Sequence, residues 1–343
     1  MRGMSFKVGP DGACAATRLT AAATALWMLA VSPASACPFP PPPVQNLELI
    51  RFYTDSAGAK TDPALLDLHK DETAPVRDYL KTVTGEADAS FLQQTDGLGV
   101  YRAKCALEWL EVWARGDALL GQIVNKQAAA ERRWTLAGAA LAYLKVKPSA
   151  THEQAQVIQD WLSKLAHAAQ DDFARDGSKH NNHWYWLGLD LAATSRATGN
   201  DAMWQQARGI MLDAANAIAA NGSLPLELAR QSRALHYHAF ALMPLTAMAE
   251  LARSRGEDWY TFNDGALDRL VALTARGIET PDVFKKLSGF DQEQPLNIQS
   301  GWLPLYRLER PQALADATFE MPSGHSWLGG NVLLLNHALT KKP

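Results

Sequence analysis

From Asp62 onward apolar residues recur three and four positions apart, and breakers separate one such stretch from the next. The pairs Trp109 and Trp113, Trp134 with Leu141, Tyr143 and Leu144, and Trp161 with Leu165 each mark one helical face. Gly116, Pro148, Gly177, Gly199-Asn200, Asn221-Gly222 and Gly256 fall between them. No sustained period-two run intervenes, so strands are not expected and the fold class is all-α. Consecutive helices with short connections pack as antiparallel hairpins, and a chain of hairpins can close into a ring around a cavity. A straight solenoid has a similar pattern, but no fixed internal repeat of that kind is present.

Residues 1–36 read as a secretory signal peptide. Arg2, Lys7 and Arg18 precede an apolar run from Leu19 to Val31, which ends in Ala34-Ser35-Ala36 and is too short to span a bilayer. Cleavage is expected after Ala36, with the mature protein in the periplasm. Acylation of Cys37 as a lipoprotein would call for a Leu-like residue where Ala34 stands. No later segment is apolar enough for a membrane span. Losing the leader removes three basic residues and Asp11, a net loss of two positive charges that takes the formal charge from −3 to −5. An anionic ligand must then be held by a local Arg and Lys cluster, and nucleic acid is not an expected partner.

Cys14 leaves with the leader, and Cys37 and Cys105 remain in an oxidising compartment. They are expected to pair, pinning the Pro-rich segment 37–61 against the helix that carries Cys105; the alternative is one buried thiol beside a free one. Residues 62–343 read as a single helical domain, expected to act as a monomer.

Two clusters carry chemistry. The first, His180-Asn181-Asn182-His183-Trp184-Tyr185-Trp186, follows a breaker and looks like a helix start. One Asn suffices as a cap, so two adjacent amides before a His exceed that need. The second runs from Leu226 through Glu227, Arg230, Arg233 and His236 to Tyr237 and His238, with Ser223 as the expected cap and Pro225 near the first helical position. On one continuous helix Tyr237 would lie about 20° around the axis from Arg230, and Arg233 within about 60° of both. Two guanidinium groups would then lean on one phenol and ease its ionisation.

Asn, His, Arg and Tyr together meet the needs of elimination from a uronate. Removing the C5 proton builds charge on the adjacent carboxylate, which Asn182 and Arg230 can neutralise. Neutral His183 or ionised Tyr237 can take the proton, and Tyr237 can protonate the departing oxygen. At these residues the chain resembles the alginate lyases of polysaccharide lyase family five, including their polyuronate lyase members. The motifs are Asn181-Asn182-His183-x-Tyr185-Trp186 and Arg230 with His236-Tyr237-His238. The likeness extends to Tyr53-Thr54-Asp55, Cys105-Ala106-Leu107, Trp113-Ala114-Arg115 and Leu328-Gly329-Gly330.

The resemblance implies an (α/α) toroid with a central substrate cleft, no cofactor and no metal, and elimination that leaves a 4,5-unsaturated uronosyl end. It implies Asn182, His183, Arg230 and Tyr237 as catalytic residues. Contacts to the polymer are implied for Asp55, Lys126, Gln127 and Asn181, and further for Tyr185, Trp186, Arg233 and His236. Ser56 and Trp327 stand where the family commonly has Lys and Arg, so two cationic contacts are replaced, with Lys60 or Lys126 as candidates to compensate. Polymannuronate is the first expected substrate, and stacking on Trp327 or Trp184 leaves room for polyglucuronate.

Three rival readings use other residues. A glycoside hydrolase on a similar ring would need two carboxylates flanking the bond, with Glu227 and Asp190 as candidates. An inactive polysaccharide-binding scaffold is compatible with the Ser56 and Trp327 departures. A zinc site would draw on His180-x-x-His183 and His236-x-His238, without a third ligand at convincing spacing.

Overall fold

The computed structural model describes residues 37–93, 97–175, 177, 179–293, 301–312, 314 and 317–340. The expected leader, residues 1–36, lies outside them. Four helical hairpins follow one another: α1 (Pro63–Leu92) with α2 (Leu98–Arg115), α3 (Lys126–Val146) with α4 (His152–Arg175), α5 (Asn182–Thr198) with α6 (Asp201–Ala217), and, after the single turn α7 (Pro225–Leu228), α8 (Ala234–Arg253) with α9 (Phe262–Glu279). The breakers act as expected: Gly116 and Gly199 end α2 and α5, and Asn200 caps α6 through Met203 N.

In each hairpin after the first, one helix is buried almost all round and the other is amphipathic. Along α3, α5 and α8 nearly every side chain is covered, whereas α4 and α6 bury one stripe. The inner helices pack in the order α1, α3, α5, α8, with α2, α4, α6 and α9 outside them. This is the (α/α) toroid. Small residues make the inner layer possible, since Ala128, Ala129, Ala130, Ala137, Ala139, Ala140 and Ala142 let α3 touch neighbours on every side.

The short helices α10 (Asp282–Ser288), α11 (Trp302–Glu309) and α12 (Val332–Thr340) complete the chain. One small departure from all-α appears here: a two-residue hairpin, β1 (Gly324–His325) with β2 (Gly330–Asn331), paired antiparallel. Its connecting turn, Ser326–Leu328, touches α1, α3 and α8 and closes the inner wall. A buried ion pair anchors it. Lys145 Nζ binds Asp88 and donates to the carbonyls of Gly329 (2.7 Å) and Asn331 (2.9 Å), while Asp88 Oδ2 accepts from Asn331 N at 2.7 Å. Gly330 has φ +90°, and a Cβ there would fall 2.3 Å from Asp88 Oδ2, so glycine is required at this place.

At the other end Cys37 and Cys105 form a disulfide, with Cα atoms 5.5 Å apart and a separation of 68 positions in sequence. Closing a loop of that length is worth about 4 kcal/mol in the chain-entropy model. Trp109 and Trp113 on α2 hold the Pro-rich segment by donating to Pro38 O (2.7 Å) and Pro41 O (3.1 Å).

Candidate active site

A cavity of about 260 Å³ opens on the inner face of the helical wall. Its lining comes from the segment before α1, from α1, α3, α5 and α8, and from the C-terminal hairpin turn.

Asn181 is the N-cap of α5, with extended backbone and a side chain that accepts from His183 N at 3.0 Å. Asn182, the first helical residue, is completely buried. Its backbone N–H and its Nδ2 both donate to Glu227 Oε1, at 2.7 and 3.0 Å. Its Oδ1 and the second Glu227 oxygen have no protein partner. One amide is therefore a cap, and the other is held by a buried carboxyl. His183 follows, half-buried, with Arg133 Nη2 3.4 Å from its Nδ1. Burial, then Arg133, Arg230 and Lys126, push its pKa well below the usual histidine value, so the ring is neutral.

The second cluster is not one helix. α7 ends at Leu228, Gln231 adopts φ +56°, a 3-10 turn spans Gln231–Arg233, and α8 begins at Ala234. A left-handed residue breaks an α-helix, and distant groups take up the freed backbone polar atoms. Gln292 donates to Gln231 O (2.9 Å) and accepts from Leu235 N (3.0 Å). Nor is Ser223 the cap. Its hydroxyl donates to Asn221 Oδ1, Leu224 takes the N-cap position, and Leu224 N donates to His238 Nε2 at 2.9 Å.

The break nevertheless brings the expected groups together. Arg230 Cζ lies 3.7 Å from the Tyr237 ring centroid and Arg233 Cζ 5.1 Å from it. The Tyr237 and Tyr53 hydroxyls share a hydrogen bond of 2.8 Å, and Arg233 Nη1 donates to Tyr53 at 2.9 Å. The expected easing of ionisation does not follow. Burial raises the Tyr237 pKa above the ordinary tyrosine value, Tyr53 adds to it, and the two guanidinium groups offset only part. The resting phenol is protonated. His236 accepts from Arg233 Nη2 at 2.8 Å, and its pKa is held well below normal by burial and by both arginines.

The opposite wall carries Trp327, stacked on Trp134 with centroids 4.3 Å apart and 3% exposed. Arg77 on α1 sits 5.5 Å from the Trp327 ring and makes a bidentate pair with fully buried Glu131, at 3.1 and 2.9 Å. Lys60 and Lys126 are exposed and do not line the cavity; the cations that α1 brings to it are Lys70, paired with Asp67 at 2.7 Å, and Arg77. Gln127 does line it, whereas Ser56 points outward.

Asp55 acts through the loop it shapes. Its carboxylate accepts from Ala59 N and Lys60 N, each at 3.0 Å. The loop lays Gly58 on Arg230 so closely that a Cβ would meet the guanidinium carbon at 3.0 Å. Tyr185 and Trp186, expected to touch polymer, are core residues. Tyr185, two residues from His183, points to the other side of α5, and Trp186 shares the His183 side but is fully buried, edge-on against Trp134, which His183 also stacks on.

The rival readings lose their residues. Glu227 and Asp190 are fully buried, their pKa values raised by burial, and neither lines the cavity. His238 spends both ring nitrogens on backbone, accepting from Leu224 N and donating to Ala234 O at 2.8 Å, and burial lowers its pKa to about 4. His180 stacks on Trp184 at 4.2 Å. Sequence reasoning passed over Tyr53, Arg77, Arg133, Trp134 and Phe240. Of these only Tyr53 carried a signal, its place in the Tyr53-Thr54-Asp55 motif.

A helical toroid whose cavity presents phenols, neutral imidazoles and guanidinium groups, with no lining carboxylate among the described residues, is the apparatus of an elimination catalyst and not of a two-carboxylate hydrolase. Known proteins agree. The Alginate lyase family model matches residues 51–284. A polysaccharide lyase of Stenotrophomonas maltophilia (strain K279a) is 41% identical over 315 residues, covering 90% of this chain and 93% of that protein. An alginate lyase of Pseudomonas aeruginosa (strain LESB58) is 31% identical over 316 residues, covering 87% and 85%. Among solved structures, alginate lyase A1-III from Sphingomonas species A1 has a TM-score of 0.74 at 24% identity, covering 89% of this chain and 86% of that one. A variant of that enzyme complexed with tetrasaccharide has a TM-score of 0.76 at the same identity and coverage. The chain belongs to the alginate lyase family and is a polysaccharide lyase.

Proposed function

We propose that the protein cleaves 1,4-linked mannuronate in alginate by β-elimination, with Tyr237 making both proton transfers. The observation that carries this reading is the Tyr237 hydroxyl, buried between Arg230, Arg233 and Tyr53 in the cavity that Asn182 and His183 also line. In mannuronate the C5 proton and the leaving oxygen lie on one face, so one group can serve both. Asn182, His183 and Arg230 receive the uronate carboxylate and stabilise the charge that develops as the C5 proton departs. The phenolate form of Tyr237 takes that proton and delivers it to the glycosidic oxygen as the C4–O bond breaks. Tyr237 ends as it began, and the new non-reducing end carries a C4=C5 double bond.

Polyglucuronate has the same one-face geometry. Trp327 in place of a cation favours its acceptance, since an indole on Trp134 offers an apolar platform to a sugar face. Export to the periplasm, as a monomer, belongs to this reading; the Cys37–Cys105 bridge supports it because such bonds persist in oxidising compartments.

The test is ultraviolet absorbance of the mature protein with polymannuronate, polyguluronate and polyglucuronate, chelator present and Tyr237→Phe as control. Absorbance should rise fastest with polymannuronate and fall about 10³-fold in the variant. No rise on any polymer, with the fold intact, would overturn the proposal.

A further inference from the structure

We propose that Arg133 is a positioning residue that locks His183 in the tautomer with its proton on Nε2, so that His183 meets the uronate as a hydrogen-bond donor and not as the base. This rests on the elimination reading above and assigns the imidazole its part in it.

The geometry leaves one arrangement. A guanidinium group has donors and no acceptor. Arg133 Nη2 lies 3.4 Å from His183 Nδ1, so Nδ1 must present its lone pair to Arg133. A neutral imidazole has a single ring proton, which is then on Nε2. The ring stays neutral because burial and the charges of Arg133, Arg230 and Lys126 all oppose a second proton. Nε2 is the nitrogen left for the cavity, and there it can donate but not accept.

Arg133 is built to hold this contact. It is 2% exposed on α3, and its guanidinium carbon stands 5.9 Å from the Phe173 ring on α4. Asp190 follows His183 by seven residues, which returns it to the same face of α5 within about 20°. After burial, which raises the Asp190 pKa, the Arg133 charge is the largest influence on that carboxyl. His183 and Asp190 thus present one face of α5 to Arg133.

The consequence concerns stereochemistry. In guluronate the C5 proton and the leaving oxygen lie on opposite faces, so elimination needs a base across the ring from Tyr237. A His183 locked as donor cannot serve. Mannuronate and glucuronate need no such base. Arg133 therefore acts on face selection through His183, without touching substrate.

Nitrogen-15 spectra of the wild-type protein, with His183 assigned by comparison with His183→Gln, read the tautomer directly. We expect a protonated Nε2 and an unprotonated Nδ1; a protonated Nδ1 would overturn the proposal. In Arg133→Met the lock is gone, so the ratio of polyguluronate to polymannuronate rates should rise about tenfold as His183 becomes able to accept a proton. Arg133→Lys, which still donates to Nδ1, should keep the low ratio. A changed tautomer with an unchanged ratio would overturn the role in face selection. Failure of the elimination reading looks different: wild type would give no absorbance on polymannuronate whatever the nitrogen spectra show.

Discussion

The two walls of the cavity are built on opposite principles. On the wall of α5 and α8, ionisable groups are buried and kept neutral: His183 and His236 are held well below the normal histidine range and Tyr237 above the tyrosine range. Asn182 Oδ1 and one Glu227 oxygen have no protein partner there. On the wall of α1, α3 and the C-terminal hairpin, each buried charge meets a partly exposed partner, Glu131 with Arg77 and Lys145 with Asp88, and Trp327 stacks on Trp134 beside them. The first wall keeps its imidazoles unprotonated and its phenol protonated, because burial there disfavours every charged form. On the second each charge has its partner, and its cavity lining combines the indoles of Trp134 and Trp327 with the cations Lys70 and Arg77.

The largest expected effect breaks the second wall. Lys145→Met leaves Asp88 without its cation and the hairpin carbonyls without their donor, and should cost about 3 kcal/mol of stability, read by denaturant unfolding. An unchanged midpoint would show that the pair does not clamp the hairpin.

On the other wall, Glu227→Ala removes the acceptor that orients Asn182 and should lower kcat about 100-fold. Glu227→Gln keeps an acceptor oxygen for the Asn182 N–H, and should stay within about tenfold of wild type. An equal loss in both variants would make Glu227 a proton donor instead, as a hydrolase would require.

The pH profile sharpens the contrast between His183 and Tyr237. If Tyr237 is the base, its raised pKa means that the phenolate fraction, and with it kcat/KM, climbs about tenfold per pH unit from neutrality upward. If His183 were the base, its depressed pKa would make it competent already below about pH 6.5, and the profile would be flat above that.

The smallest effect is expected at the aromatic platform. Trp327→Phe should raise KM for polyglucuronate about threefold with kcat kept, since a smaller ring retains the wall but offers less face. A drop in kcat would place Trp327 closer to the chemistry than this wall allows.

The legibility of the two walls differs in the same way. Asn182, His183, Arg230 and Tyr237 stand in short motifs at helix starts, so residue type and spacing were enough to single them out. Arg77 and Trp134 sit inside amphipathic helices, where a cation or an indole is ordinary, and only the helix opposite makes them part of a cavity. Tyr185 and Trp186 show the converse error, since their motif was visible but their direction was set by packing.

The sequence by itself determined the succession of helices, because 3.6-residue periodicity and its interruption by Gly, Asn and Pro are local properties. It also determined the chemical inventory of the site. Tertiary structure decided the break at Gln231, where Gln292 from sixty residues on supplies the hydrogen bonds a continuous helix would have made. It decided as well that Tyr237 is protonated and His183 neutral, because desolvation and the field of Arg133 and Arg230 depend on distances that no spacing along the chain encodes.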